Sequence, residues 1–410
     1  MSVVAQTLGH DSRVLSLIGA GHMLSHFYQL SFPPLLLVWR EEFGASFIAL
    51  GLIISLFSLA TGLSQIPAGV LVDRYGARPV LVIGLLIISG AMASMSLVSD
   101  IELIFFLAVV AGIGNGVFHP ADYAILNSSI NPIRMGKAFS FHSFSGHLGG
   151  SLAPATIIFL VALQDWRFAL LTTGLTGVLV ALLILLQGGI LQDDHVTNVA
   201  NSRERQNGEN NWKATAKLLL SRQMGLFFLF FLFGTLTTSG VQSFSVVASV
   251  DIHNLSLSNA STALTVFLFA ATFGILLGGV AADYAGKHEW VAATCFLFSS
   301  IIFATLAIWA YPSALLIIVF GMIGLAQGMI RPARDMMVRA FAPEGTTGRV
   351  FAFTSTGIAL GGAVAPLFFG YIIDQNATIW IYWLLAIFNL LALGTVLCQR
   401  YLSPINDSPS

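Results

Sequence analysis

Apolar runs of roughly 20 residues or more, parted by short polar segments, recur from one end of the chain to the other. At about 1.5 Å of rise per residue, such a run crosses a hydrocarbon layer of about 30 Å as a helix. The pattern predicts helices over 14–39, 47–72, 78–98, 101–126, 136–162, 166–190, 223–250, 258–283, 288–310, 312–340, 348–373 and 377–400. The one long polar break, Gln192 to Asn211, has no apolar periodicity and reads as a solvated linker. The expected organisation is a six-helix bundle over 1–190, a cytoplasmic linker over 191–222 and a second six-helix bundle over 223–410. The fold class is therefore all-α integral membrane protein, with twelve transmembrane helices in two pseudo-symmetric bundles.

The two halves repeat each other. Gly69-x-x-x-Asp73-x-x-Gly76 returns as Gly279-x-x-x-Asp283-x-x-Gly286, an offset of 210. Gly112-x-Gly114-x-Gly116 returns as Gly324-x-Ala326-x-Gly328, Gly149-Gly150 as Gly361-Gly362 and Pro154 as Pro366, each offset by 212. Parallel duplication of six-helix units is a transporter architecture, in which the substrate site is expected near the bilayer midplane between the halves.

Composition sharpens this picture. The chain is 56% hydrophobic and 9% charged, with a mean hydropathy of +0.85, where soluble domains carry about 25% charged residues. Of the 18 lysines and arginines, 14 fall in segments predicted to be cytoplasmic, and only Arg40 and Arg167 lie on the opposite side. That bias places both termini in the cytoplasm. The remaining two, Arg331 and Arg334, sit inside the tenth predicted helix. Cys295 and Cys398 have no metal-ligand or redox spacing. No basic cluster with interleaved aromatics is present to bind nucleic acid, and the first apolar run lacks the cleavage site of a secretory signal.

The segment G-V-L-V-D-R-Y-G-A-R, Gly69 to Arg78, resembles the cytoplasmic loop signature of the major facilitator superfamily, with Pro79 where a further basic residue is usual. The second copy is degenerate, with Tyr284 in place of the arginine. The resemblance covers essentially the whole chain and implies the major facilitator fold. It also implies a conformational latch of Gly69, Asp73, Arg74, Gly76 and Arg78 that breaks when the carrier opens inward. The element V-F-H-P, ending at Pro120, is similar to one in fosmidomycin-resistance-like transporters, although here the acid, Asp122, comes one residue later.

Candidate chemistry lies within the helices. Positions i, i+4 and i+7 share a helix face, so Asn115, His119 and Asp122 form a stripe in the fourth span. Gln327, Arg331 and Arg334 form its counterpart in the tenth, 212 positions on. Ionisable groups at membrane depth cost about 2.5–3.5 kcal/mol each and normally face protein or water. Two local pairings offer a plainer account, Asp122 with Arg134 and Arg334 with Asp335. Pro120 and Pro332 are expected to kink their helices.

His22, His26 and Gln29 make a further stripe, and His142 and His147 lie in the fifth span. Gly234, Thr238 and Thr354 replace His22, His26 and His142 in the second half. Titratable groups thus gather in one half and fixed positive charge in the other, which suits proton coupling through His119, Asp122 and His26. Thr237, Thr238, Gln242 and Phe244 of the seventh span are candidates to line a cavity. Zinc is not expected, since the His22–His26 pair lacks an acidic third ligand on its own helix. No cofactor is expected either, and no nucleophile–base set suggests an enzyme.

Two functions fit. The first is a secondary active transporter moving a small organic anion or zwitterion by alternating access, proton-coupled, with Arg331 as the anion ligand. His119, Asn115, Gln327, His22, His26, Gln29, His142, Gln242 and Thr238 are its other candidate binding residues. The second is a multidrug/proton antiporter exporting apolar compounds, driven by Asp122 and using some of the 32 phenylalanines. A non-transporting membrane sensor is a third class. The partners expected are a small-molecule substrate, H+ and the lipid bilayer. The expected form is a monomer in the inner (cytoplasmic) membrane, crossing it many times.

Overall fold

The computed structural model describes residues 8–191, 220–285, 288–341 and 347–402, and every regular element among them is helical. Most of the linker read at 191–222 lies outside the described residues, with Arg203, Arg205, Lys213 and Lys217. So do Gly286 and Lys287 of the second loop signature. The chain divides into two compact units, Met1–Asn210 and Asn211–Ser410. The first holds α1 (Leu8–Gln29), α2 (Leu36–Phe43), α3 (Phe47–Tyr75), α4 (Ala77–Met95), α5 (Ile101–Asn115), α6 (Phe118–Ser129), α7 (Met135–Leu163) and α8 (Trp166–Gln187). The second holds α9 (Arg222–His253), α10 (Leu257–Ala285), α11 (His288–Ile308), α12 (Ser313–Phe341), α13 (Thr347–Asp374) and α14 (Trp380–Leu402).

Among the described residues, 11 helices are long and apolar enough to cross a membrane, with Ile101–Ser129 taken as one. The twelfth span of the sequence reading is α1. It has the length, but Asp11, Arg13, His22, His26 and Gln29 keep its hydropathy low. The polar load that hides this helix from a hydropathy test is the same load that makes it chemically interesting.

Two expected spans are corrected. The first does not run unbroken over 14–39: α1 ends at Gln29, a 3-10 turn occupies Pro33–Leu35, and α2 ends at Phe43, capped by Gly44 with φ 62°. Pro33 and Pro34 supply no amide donors, so the α-helical ladder cannot pass through them. The fourth span breaks between α5 and α6. Pro120 leaves the Gly116 carbonyl without its i+4 donor, while the Gly116 amide is shared between Gly112 and Ile113 at 3.0 and 3.3 Å. The matching helix α12 runs through Pro332 without interruption, and it carries Ala326 where the first copy has Gly114.

Packing repeats as the sequence does. The α1–α7, α3–α5 and α4–α8 pairs of the first unit recur as α9–α13, α10–α12 and α11–α14 in the second. The glycines explain the closeness of the α3–α5 and α10–α12 pairs. A Cβ on Gly112 would strike the Phe57 carbonyl, and one on Gly324 would strike the carbonyl of Phe267, the counterpart of Phe57 at the 210 offset. Small residues that let backbones touch are the main means of helix association where lipid tails compete for apolar contact. Large apolar side chains such as Ile66 and Leu186, each 80% exposed, cover the outer faces, as lipid-facing positions require.

Candidate functional site

In the first unit α1, α6 and α7 converge on a group of imidazoles around one carboxylate. Glycines on α7 make the approach possible: a Cβ on Gly146 would lie 2.6 Å from the His22 ring, and one on Gly149 would collide with the Met23 carbonyl. His22 consequently stacks on His142, ring centroids 3.7 Å apart. His26 lies edge-on to His22 at 4.7 Å, His119 lies 5.4 Å from His22, and His147 lies 6.0 Å from His26. Asp122 is fully buried beneath them, its Oδ2 3.3 Å from His22 Nδ1 and 3.8 Å from His142 Nε2. Neither Asp122 oxygen makes a hydrogen bond. His119 is exposed, whereas His22 and His142 are buried. The group is thus a buried cluster of polar atoms with one histidine at its exposed edge.

The expected stripe survives the break in a changed form. Asn115 ends α5 and His119 and Asp122 follow on α6, yet Asn115, His119 and Asp122 all come up against α1. Asn115 accepts from Ser25 at 2.6 Å and donates to Thr61 at 3.4 Å. These bonds tie α5 to α1 and α3. Gln327 does the equivalent in the second unit, donating to Asn389 at 2.8 Å, while Asn389 donates to the Leu385 carbonyl at 2.7 Å and to Thr237 at 3.4 Å. Thr237 is the counterpart of Ser25, 212 positions on. Sequence reasoning passed over Ser25, Thr61 and Asn389; the shared offset of Ser25 and Thr237 was the available signal.

Around α12 the second unit carries fixed positive charge. Arg331 is half-buried, and Arg334 pairs with Asp335 at 2.9 Å and lies 4.5 Å above the Phe231 ring. Of the two local pairings weighed from sequence, this one is present. The other is not: Arg134 takes Asp11 of α1 rather than Asp122, with Nε to Oδ2 at 2.5 Å. The α6 turns carry Asp122 inward while Arg134 closes the following loop against the start of α1. Thr238 spends its hydroxyl on the Gly234 carbonyl at 3.1 Å, and Gln29 and Gln242 are half-buried.

The Asp11–Arg134 pair gives a stability prediction. Asp11 is 7% exposed and Arg134 27%, so Arg134→Ala strands a buried carboxylate. The expected loss is about 3 kcal/mol at most, after discounting for the partial exposure of the arginine. Adding Asp11→Asn should restore part of it. A double-mutant cycle on thermal melts checks this, and strict additivity would contradict the pairing.

The loop signature spans the junction of α3 and α4. Gly76 joins α3 to α4 at φ 101°, a conformation that favours glycine. Arg78 then reaches α8 and donates to the Leu185 carbonyl at 2.6 Å. Cations at a helix C-terminus meet both its unpaired carbonyls and its dipole. Arg74 lies over the Tyr75 ring at 5.2 Å, Asp73 is exposed and Gly69 half-buried.

Long apolar helices, a duplicated packing scheme and charged side chains within those helices together mark a polytopic membrane protein. The Major Facilitator Superfamily model matches residues 17–258 and 237–407, and the chain belongs to that family. A protein named as a probable L-galactonate transporter of Escherichia coli K12 is 29% identical over 143 residues, 35% of this chain and 32% of that one. The fosmidomycin resistance protein of the same strain is 25% identical over 284 residues, 67% of this chain and 66% of that one. A probable sulfoacetate transporter of Cupriavidus necator is 25% identical over 364 residues, 83% and 82% of the two chains. The first two matches span about a third and just under two thirds of those relatives' lengths. A crystal structure of a bacterial homologue of the human lysosomal transporter Spinster shares the fold, with a TM-score of 0.80 at 14% identity over 96% of this chain and 98% of that one.

Proposed function

We propose that the chain carries small organic anions or zwitterions across the cytoplasmic membrane by alternating access, coupled to the proton gradient. The observation that carries this reading is Arg331. A guanidinium stays charged at any working pH and grips carboxylate or sulfonate oxygens in a fork, and a membrane helix retains such a group at a cost. Relatives named for galactonate and sulfoacetate transport support the same substrate class. Asn115 and Gln327 act here as frame residues, because their amides are engaged by neighbouring helices. His119, at the exposed edge of the imidazole group, remains a candidate substrate-binding residue. His119, Asp122 and His26 are the groups assigned to proton coupling.

The remaining parts of the reading are an inner-membrane monomer with cytoplasmic termini and a latch on the cytoplasmic side formed by Asp73, Arg74 and Arg78. Proteoliposomes loaded with a panel of organic anions that includes sulfoacetate and L-galactonate test the reading, under imposed pH or sodium gradients. The pH gradient should drive net movement of at least one anion, and the sodium gradient should not. Movement indifferent to both gradients would remove the proton from the scheme. Failure of every anion in counterflow would remove the substrate class.

A further inference from the structure

We infer that His22, His119, His142 and Asp122 form a binding site for a divalent transition-metal cation, Zn2+ or its spectroscopic analogue Co2+, inside the first unit. One imidazole nitrogen from each of the three histidines lies within 4.8 Å of the others. Asp122 Oδ2 lies 3.3 Å from His22 Nδ1 and 3.8 Å from His142 Nε2. Zinc bonds of about 2.0–2.1 Å put the ligand atoms of a tetrahedral ion roughly 3.3 Å apart. One pair already has that spacing, His142 and Asp122 need to close by about 0.5 Å, and the histidine nitrogens by up to about 1.5 Å. Three imidazoles with one carboxylate suit zinc, whereas magnesium and calcium take oxygen ligands.

The second observation concerns unmet lone pairs. His22 Nδ1, both nitrogens of His142 and both oxygens of Asp122 make no hydrogen bond, although their side chains are only 4%, 2% and 0% exposed. Buried polar atoms in native proteins are paired in the large majority of cases. A single cation would satisfy several of these at once and offset the buried carboxylate. His119 is exposed and gives the ion a way in, which a metal site requires. The stacked His22 and His142 rings, inclined at 28°, must rotate for their lone pairs to converge. The terminal torsion of histidine is broad enough to allow that. His26, edge-on to His22 at 4.7 Å, stands where an outer partner would orient a ligating ring.

The sequence-based objection to zinc, that the His22–His26 pair has no acid on its own helix, applied to one helix alone; the ligands here come from α1, α6 and α7. A bound ion ties those three helices together, so Zn2+ should also slow transport. The site rests on its own geometry and not on the identity of the carried anion.

The test uses the full-length protein purified without a polyhistidine tag and titrated with Co2+, then Zn2+. One equivalent of Co2+ should develop the visible d–d bands of a tetrahedral ion, and one equivalent of Zn2+ should abolish them. His142→Ala should weaken Zn2+ binding, read by calorimetry, by more than the ~10–100-fold typical of outer partners. His147→Ala, outside the ligand set, should stay within about tenfold. Metal-free melting curves report whether each variant is folded, and His119→Asn, at the exposed edge, replaces His142→Ala if the latter is not. A folded wild type that takes up no stoichiometric Co2+ overturns the inference, as does Zn2+ affinity unchanged in His119→Asn.

Discussion

Arg331→Ala is expected to abolish organic-anion transport while the protein still reaches the membrane and melts like the wild type. Truncating one partner of a desolvated, hydrogen-bonded charge pair costs about 2–5 kcal/mol, which is roughly 30-fold or more in affinity. Arg331→Lys should fall between the two, since it keeps the charge and loses the planar fork. Arg334 provides the internal control. It pairs with Asp335 and stacks on Phe231, and since the reading makes Arg331 the anion ligand, Arg334→Ala should cost less transport than Arg331→Ala. Counterflow in proteoliposomes normalised to protein content reads all three. Full transport by Arg331→Ala would take this residue out of the substrate's path.

The second large effect is on folding. Gly112→Val and Gly324→Val should each cripple their own unit, because the new side chain meets a neighbouring backbone carbonyl rather than a side chain that can move aside. Overpacking costs about 1–3 kcal/mol in ordinary cores and occasionally more; contact with backbone belongs at or beyond the top of that range. Gly62→Ala is the matched control on α3, since nothing lies within 4 Å of its added carbon, and helix propensity predicts a gain of about 0.5–1 kcal/mol. Thermal melts and size-exclusion profiles in detergent compare the three. A Gly324→Val protein that melts with the wild type would contradict the close α10–α12 packing.

Much of the fold was legible because a bilayer imposes one dominant rule, length of apolar run, and because the chain repeats itself at offsets of 210 and 212. The rule fails where polar function enters. At α1 the histidines and Asp11 depress hydropathy, and at Pro33–Pro34 an apolar run conceals a lost donor ladder. The site was legible residue by residue but not as an assembly. His22, His119, Asp122 and His142 each stood out from the lipid-compatible background, yet their meeting depends on how α7 lies on α1, which Gly146 and Gly149 set. Local sequence distance misled at Arg134: Asp122 is nearer along the chain, but the carboxylate it reaches is Asp11. Asn389 had no signal of its own, since a lone asparagine in an apolar helix names no partner.

The anion reading makes one claim on which the rest turns, that negative charge rather than greasiness selects the cargo. Competition against labelled sulfoacetate uptake, or against whichever panel anion the protein moves, tests it most directly. The competitors should be a series graded in lipophilicity, each compound made with and without a carboxylate or sulfonate. Inhibition that follows the acidic group and is insensitive to chain length is the predicted result. Inhibition that climbs with lipophilicity and ignores the acid would instead describe an exporter of apolar compounds.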